Sequence, residues 1–234
     1  MAEWTDGSVY PGTDVLVNKR GIRDPATLAK VEHRVVQQAI QELKLTDKEL
    51  LTPAAIARTH GQLFGALYDW AGQHRTVNIS KGGTHFLPAD RIGTGLAYVS
   101  EGLQRAVPPS ILEDLKGEAR RDPFSASAQF AVRIAGPVAE LNYVHPFREG
   151  NGRALRAYVD QIAARAGLRL DSTRIERLPW ILASKASSAD PTQTRGIEHQ
   201  LREALVPREK QRGRQADRPR DQGRARGRDD SLER

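Results

Sequence analysis

The chain has 234 residues, no cysteine and a net charge of +7. That length suits one large domain or two small ones. The missing cysteine excludes disulfides, a thiolate nucleophile and any Cys-based zinc site. No apolar run approaches the roughly 18–20 residues of a membrane span, and no basic-then-apolar signal opens the chain. The sequence therefore reads as a soluble, cytoplasmic protein with no membrane partner.

The basic excess first suggests nucleic acid, but its position argues otherwise. Residues 207–234 hold ten Lys/Arg and six Asp/Glu, a net of +4, which leaves +3 for residues 1–206. This stretch has almost nothing apolar to bury, so residues 206–234 read as a disordered Arg-rich tail and residues 8–205 as the folded domain. The tail carries no aromatic residue for stacking on bases, so a nucleic-acid-binding role is the weaker reading. A solvated tail, or a basic export signal, is the alternative.

The body reads as all-α with one small β element. Asp24-Pro25 supplies an N-cap and first-turn pair, and Leu28, Val31, Val35, Ala39, Ile40 and Leu43 then share one face. Thr46-x-x-Glu49 has the form of a capping box. Thr52-Pro53 opens a second helix through Ile56, His60, Leu63, Phe64 and Leu67, with Gly72 just past its end. His60 lies on that apolar face as a core or half-buried histidine. Asp90 is placed to cap a helix through Leu96 and Val99. Asp122-Pro123 opens another towards Tyr143, which Gly136-Pro137 should kink or interrupt. Leu155 to Ala166 give a stripe that ends at Gly167, and residues 201–205 close a last helix.

One segment switches period. Val77 and Ile79 alternate with Asn78 and Ser80, and Lys81-Gly82-Gly83 supplies a tight turn before Thr84-His85-Phe86-Leu87. This predicts a hairpin projecting from a helical domain. A two-stranded hairpin is marginal by itself, which makes it a candidate functional element; a plain surface loop is the other reading.

The chemistry concentrates in residues 145–156, His-Pro-Phe-Arg-Glu-Gly-Asn-Gly-Arg-Ala-Leu-Arg. Gly150 and Gly152 allow close backbone approach. The loop feeds a helix N-terminus near Asn151, where unpaired N–H groups and the helix dipole favour a phosphate. Arg153 and Arg156, three apart, share a helix face and present planar donor forks to a polyphosphate. Glu149 offers a hard oxygen ligand for Mg²⁺ on that phosphate. His145 is the one side chain there with a pKa suited to general-base work near neutrality.

This stretch resembles the Fic signature, H-x-F-x-(D/E)-G-N-G-R-x-x-R, at every specified position. Residues 10–22 and 60–72, with Arg75-Thr-Val after them, are similar to other parts of bacterial Fic domains, so the resemblance covers about residues 8–205. It implies an all-helical Fic core with a β-hairpin flap, and transfer of AMP from ATP to a Ser, Thr or Tyr hydroxyl of a target protein, releasing pyrophosphate. His145 would be the base and Glu149 the Mg²⁺ ligand. Gly150, Asn151 and Gly152 would form the anion hole, with Asn151 at the α-phosphate. Arg153 would serve the β-phosphate region and Arg156 the γ-phosphate. Phe147 would anchor this nucleotide-binding loop in the core. The flap, Asn78, Ile79, Ser80, Lys81, Gly82, Gly83, Thr84, His85 and Phe86, would register the target segment by strand addition.

Many Fic proteins carry an inhibitory (S/T)-x-x-x-E-(G/N) helix whose Glu pairs with the second motif arginine. Glu precedes Gly or Asn only at Glu101-Gly102 and Glu149-Gly150, and Ala97 and His145 stand four residues earlier, so neither fits. The resemblance thus implies a toxin held off in trans by a small antitoxin that supplies a Glu to Arg156. An effector exported by a type IV system to act on host proteins, or transfer of UMP or GMP, are the alternatives. The intact Gly-Asn-Gly core favours nucleotidyl transfer over phosphotransfer.

Overall fold

The structure is a computed structural model that describes residues 8–190 and 192–208. The expected tail lies outside the described residues from 209 onward.

Helix α1 (Pro25–Glu42) starts where the sequence places it, with Asp24 accepting from the Thr27 amide and Pro25 in the first turn. Thr46 and Glu49 do bond each other as capping-box partners, but they close a turn at 47–51 and open no helix. Pro53 disfavours helical backbone at Thr52, so a helix from Thr46 has nowhere to run. Helix α2 (Pro53–Phe64) then begins on Pro53.

Helix α2 stops at Phe64, well short of Gly72. The N-terminal segment takes the chain beyond it: the Lys19 amide donates to the Leu67 carbonyl at 2.8 Å and Lys19 Nζ to the Gly65 carbonyl at 2.7 Å. Leu63, Phe64, Leu67 and Tyr68 form a satellite core with Val36 and Leu43 from the α1 side and Ala157.

The hairpin is present but short. Strands β1 (Ser80–Lys81) and β2 (Thr84–His85) pair Ser80 with His85 and Lys81 with Thr84. Gly82 and Gly83 both take positive φ, 55° and 82°, as a two-residue hairpin turn requires. Val77 and Ile79, expected in a strand, lie before it. Its feet are fastened to the body: Asn78 Oδ1 accepts from the Ala89 amide at 2.8 Å, and the Leu87 amide donates to the Tyr143 carbonyl at 3.1 Å.

A 3₁₀ turn (Ala89–Arg91) leads into α3 (Ile92–Ala106); Asp90 sits inside that turn and caps nothing with its side chain. Helix α4 (Pro109–Arg121) is absent from the sequence reading. It buries only Leu112 and Leu115 on a strongly polar helix, too thin a stripe to announce itself.

Helix α5 (Pro123–Val144) is the hub. Asp122 caps it by accepting from the Phe124 and Ser125 amides at 3.0 Å each. It packs against α3 and α4, and against the later helices α6 (Asn151–Arg165), α7 (Arg177–Ala189) and α8 (Arg195–Ala204). Its Phe130, Ile134, Val138 and Leu141 fill the main core. The expected interruption at Gly136-Pro137 does not occur, and the helix runs on through Pro137. The carbonyl that loses its partner belongs to exposed Arg133, on the side where helix carbonyls turn to water.

A second antiparallel pair, β3 (Leu168–Leu170) with β4 (Leu205–Pro207), ties the end of α6 to the end of α8. With the Arg208 amide on the Gly167 carbonyl, it carries the described fold three residues beyond the expected end at 205. Helix α7 was not foreseen, and α8 only in its last turn. No helix among the described residues is long and apolar enough to cross a membrane.

Candidate active site

The loop between α5 and α6 gathers the motif. His145 is the left-handed C-cap of α5, at φ 44° and ψ 60°, the one non-glycine with positive φ among the described residues. That backbone turns the chain out of the helix and costs roughly 1–2 kcal/mol in an L-residue. The ring is fixed on two sides. Nδ1 lies 3.1 Å from the Asn142 carbonyl, which can only accept, so Nδ1 holds the proton and the Nε2 lone pair is left over. Phe86, from the foot of the hairpin, stacks on the ring at 3.8 Å and 14°.

Burial pushes the His145 pKa down to about 4, with Lys81 and Arg75 adding to the effect against the opposing Asn142 bond and Glu149 charge. This corrects the near-neutral value the sequence suggests. The imidazole is neutral, and ready to accept, across the physiological range.

Phe147 is fully buried and stacks on His60 at 3.9 Å, so its ring anchors the loop in the core from beneath. Asn151 crosses the loop. Its Oδ1 accepts from the Phe147 amide at 2.8 Å and its Nδ2 donates to the Phe147 carbonyl at 2.6 Å. The side chain fixes the loop's shape and keeps one amide hydrogen for a ligand.

Gly150 is required by geometry. It has φ 82°, and a Cβ there would lie 2.6 Å from the Phe64 ring and 3.2 Å from His60 Nε2. As the N-cap of α6 it stands before Asn151 and Gly152, whose amides open the helix with no carbonyl ahead of them. Glu149 is exposed, and one of its oxygens accepts from the Gly150 amide at 3.0 Å. Its other oxygen is open to a cation. No cluster of three or more His, Cys, Asp or Glu side chains among the described residues could hold a metal ion. A single carboxylate suits Mg²⁺, which commonly completes its shell with substrate phosphates and water.

The two arginines differ. Arg153 pairs with Glu32 of α1, which also accepts from the Tyr68 hydroxyl, and its guanidinium carbon lies 4.7 Å from the Phe64 ring centre. Arg156 is half-buried and makes no ion pair among the described residues. Burial and the neighbouring Arg153 charge both push its pKa down. A partly desolvated guanidinium with no such partner, on the first turns of a helix, is chemically suited to an anion.

Two residues outside the motif hold the loop. His60, read from sequence as a satisfied core histidine, is fully buried and satisfied: Gly72 N–H donates to Nδ1 at 2.9 Å, so Nε2 carries the proton and donates to the Glu149 carbonyl at 2.9 Å. Burial drives its pKa down to about 4. Arg75 is also buried, with its guanidinium on carbonyls of the loop and of the hairpin feet. The sequence singled out its tripeptide but gave it no task.

The Fic/DOC family model matches residues 50–163. The chain is 34% identical over 175 residues to the protein adenylyltransferase VbhT of Bartonella schoenbuchensis, covering 74% of this chain and 34% of VbhT, so it spans about a third of that relative. It is 30% identical over 190 residues to the "Probable protein adenylyltransferase Fic" of Escherichia coli, covering 80% of this chain and 87% of the relative. The structure of BepC, a VirB-translocated effector of Bartonella tribocorum with bound AMPPNP, superposes at a TM-score of 0.72 and 22% identity, over 86% of this chain and 97% of BepC.

Proposed function

The chain belongs to the Fic/DOC family, and from that premise we propose that it is a protein adenylyltransferase, moving AMP from ATP to a Ser, Thr or Tyr hydroxyl of a target protein. The observation that carries this reading is Arg156, a guanidinium with no carboxylate partner among the described residues, beside the open N-terminus of α6 and a neutral histidine with a free Nε2. Adenine as the base follows the names of the relatives, protein adenylyltransferases at 34% and 30% identity.

The chemistry follows from the groups in place. Amides of Asn151 and Gly152 receive the phosphates, with Arg153 and Arg156 on the β and γ side. His145 Nε2 takes the proton from the target hydroxyl as its oxygen forms a bond to the α-phosphorus. The bond from the α-phosphorus to the bridging oxygen breaks, and pyrophosphate leaves with the electron pair. The chain's contribution is positioning and charge, as in other transfers at phosphorus. Glu149 would hold Mg²⁺, whose chemistry is neutralisation of phosphate charge. The hairpin edge would present the target segment to His145 by backbone pairing.

The same bare Arg156 supports control in trans by a small antitoxin whose Glu would occupy it. Glu32 does not fill that role within the chain, because it engages Arg153. Mass spectrometry of a reaction with ATP, Mg²⁺ and a cell lysate tests the reading. Proteins heavier by an adenylyl group, with pyrophosphate released in step and neither seen in lysate alone, are expected; an enzyme-dependent gain of phosphorylated proteins with ADP as the by-product would refute it.

A further inference from the structure

Arg75 lies between α2 and the hairpin and is buried, with no carboxylate partner among the described residues. Its backbone amide donates to the Pro146 carbonyl at 2.9 Å. Its guanidinium spreads over four backbone carbonyls in two groups. Nε donates to His145 at 2.9 Å and Nη2 to Val144 at 3.2 Å, where α5 ends and the loop that carries the base begins. Nη1 donates to Val77 at 2.7 Å and Nη2 also to Leu87, three residues before β1 and two residues after β2.

Nothing in this pattern stabilises the hairpin's own pairing. Val77 and Leu87 flank β1 and β2 from outside, and their carbonyls are drawn to the same planar group that holds the carbonyl of left-handed His145. One side chain therefore sets the separation between the hairpin and the histidine, while Phe86 closes the gap above it by stacking on the ring. Only arginine has the donors to do this, since lysine offers a single point from which three hydrogens diverge.

We propose that Arg75 is a positioning residue that holds the target-docking hairpin in register with His145, so that a hydroxyl presented on the hairpin edge arrives within reach of Nε2. The proposal rests on the adenylyltransferase reading. Misplacing a reacting group by about 1 Å can cost around 100-fold in rate, whereas the amides and arginines proposed for the phosphates belong to α6, and none of the Arg75 hydrogen bonds above reaches that helix.

The test compares wild type with Arg75→Lys. Kcat for target modification is expected to fall about 10- to 100-fold, while affinity for a non-hydrolysable ATP analogue, read by titration calorimetry, changes less than about two-fold. Hydrogen exchange at residues 77–87 is expected to quicken, with the amides of α6 unaffected. Phe86→Ala removes the ring stacked on His145 but leaves the Arg75 hydrogen bonds in place, and is expected to lower kcat with nucleotide affinity intact. Unchanged exchange in the hairpin of Arg75→Lys would overturn the proposal, and so would a loss of nucleotide affinity in step with kcat, or a Phe86→Ala kcat equal to wild type. A wild-type protein that modifies no target would count against the adenylyltransferase reading instead, and hairpin exchange would still decide whether Arg75 holds the hairpin.

Discussion

Replacing His60 with alanine should destabilise the fold in a way that depends on pH. The ring is fully buried, stacked on Phe147 and in contact with Phe64 at 4.6 Å between centroids. His60→Ala leaves the Gly72 amide and the Glu149 carbonyl without their partners and opens a void between two aromatic rings. Each stranded group costs about 1–3 kcal/mol, so near neutral pH the variant should be less stable by about 4 kcal/mol.

The gap must shrink in acid. The wild-type His60 pKa lies at about 4, below the model-peptide value of 6.5. Between those values the unfolded chain binds a proton that the folded one refuses, so wild-type stability is fully present above about 6.5 and is lost as pH falls towards 4. At pH 5 this amounts to about 2 kcal/mol, and at pH 4 to about 3 kcal/mol. The alanine variant has no such group, while His145 titrates in both proteins and cancels. Urea unfolding of both proteins at pH 7 and pH 5 measures the gap. A gap of the same size at both pH values would refute the buried, neutral His60.

Other outcomes follow from the same geometry. Gly150→Ala places a methyl group 2.6 Å from the buried Phe64 ring at a φ of 82°, and should cost about 3 kcal/mol or more by thermal melting while weakening nucleotide binding. Arg156→Ala should weaken ATP binding about ten-fold or more in calorimetry, as expected when a charged hydrogen bond is removed. The rate should rise with pH only through the acid limb near 4, where His145 loses its proton, and stay level near neutrality; a limb near 6.5 in a kcat/KM profile would contradict its burial.

The parts of the fold legible in the sequence were those with local signals. Asp24-Pro25 and Asp122-Pro123 marked α1 and α5 because capping is a contact between near neighbours. The stripe from Leu155 marked α6 because that helix is buried along most of its length. The polar α4 gave no stripe. The end of α2 was set by Lys19, 46 residues from the Gly65 carbonyl that it takes. Within the site, the motif residues fell together as their spacing implied, since one loop carries them.

What the sequence did not convey was long-range. His60 meets Glu149 across 89 positions and Arg75 meets His145 across 70, and neither bond leaves a periodic trace. The left-handed backbone at His145 was equally silent, because non-glycine residues there depend on tertiary support. An arginine directly before the hairpin's alternating stretch was the one available hint, since a buried charge must find several partners.

The most direct test of adenylyl transfer uses ATP labelled in parallel at the α- and at the γ-phosphate, in lysate, with wild type and His145→Ala. Wild type should place the α-label and not the γ-label on protein, and His145→Ala should lose about 10²–10⁴-fold in rate while still binding nucleotide. Protein labelled from the γ-phosphate above the level in lysate without the enzyme, or α-labelling by His145→Ala at the wild-type rate, would contradict the account.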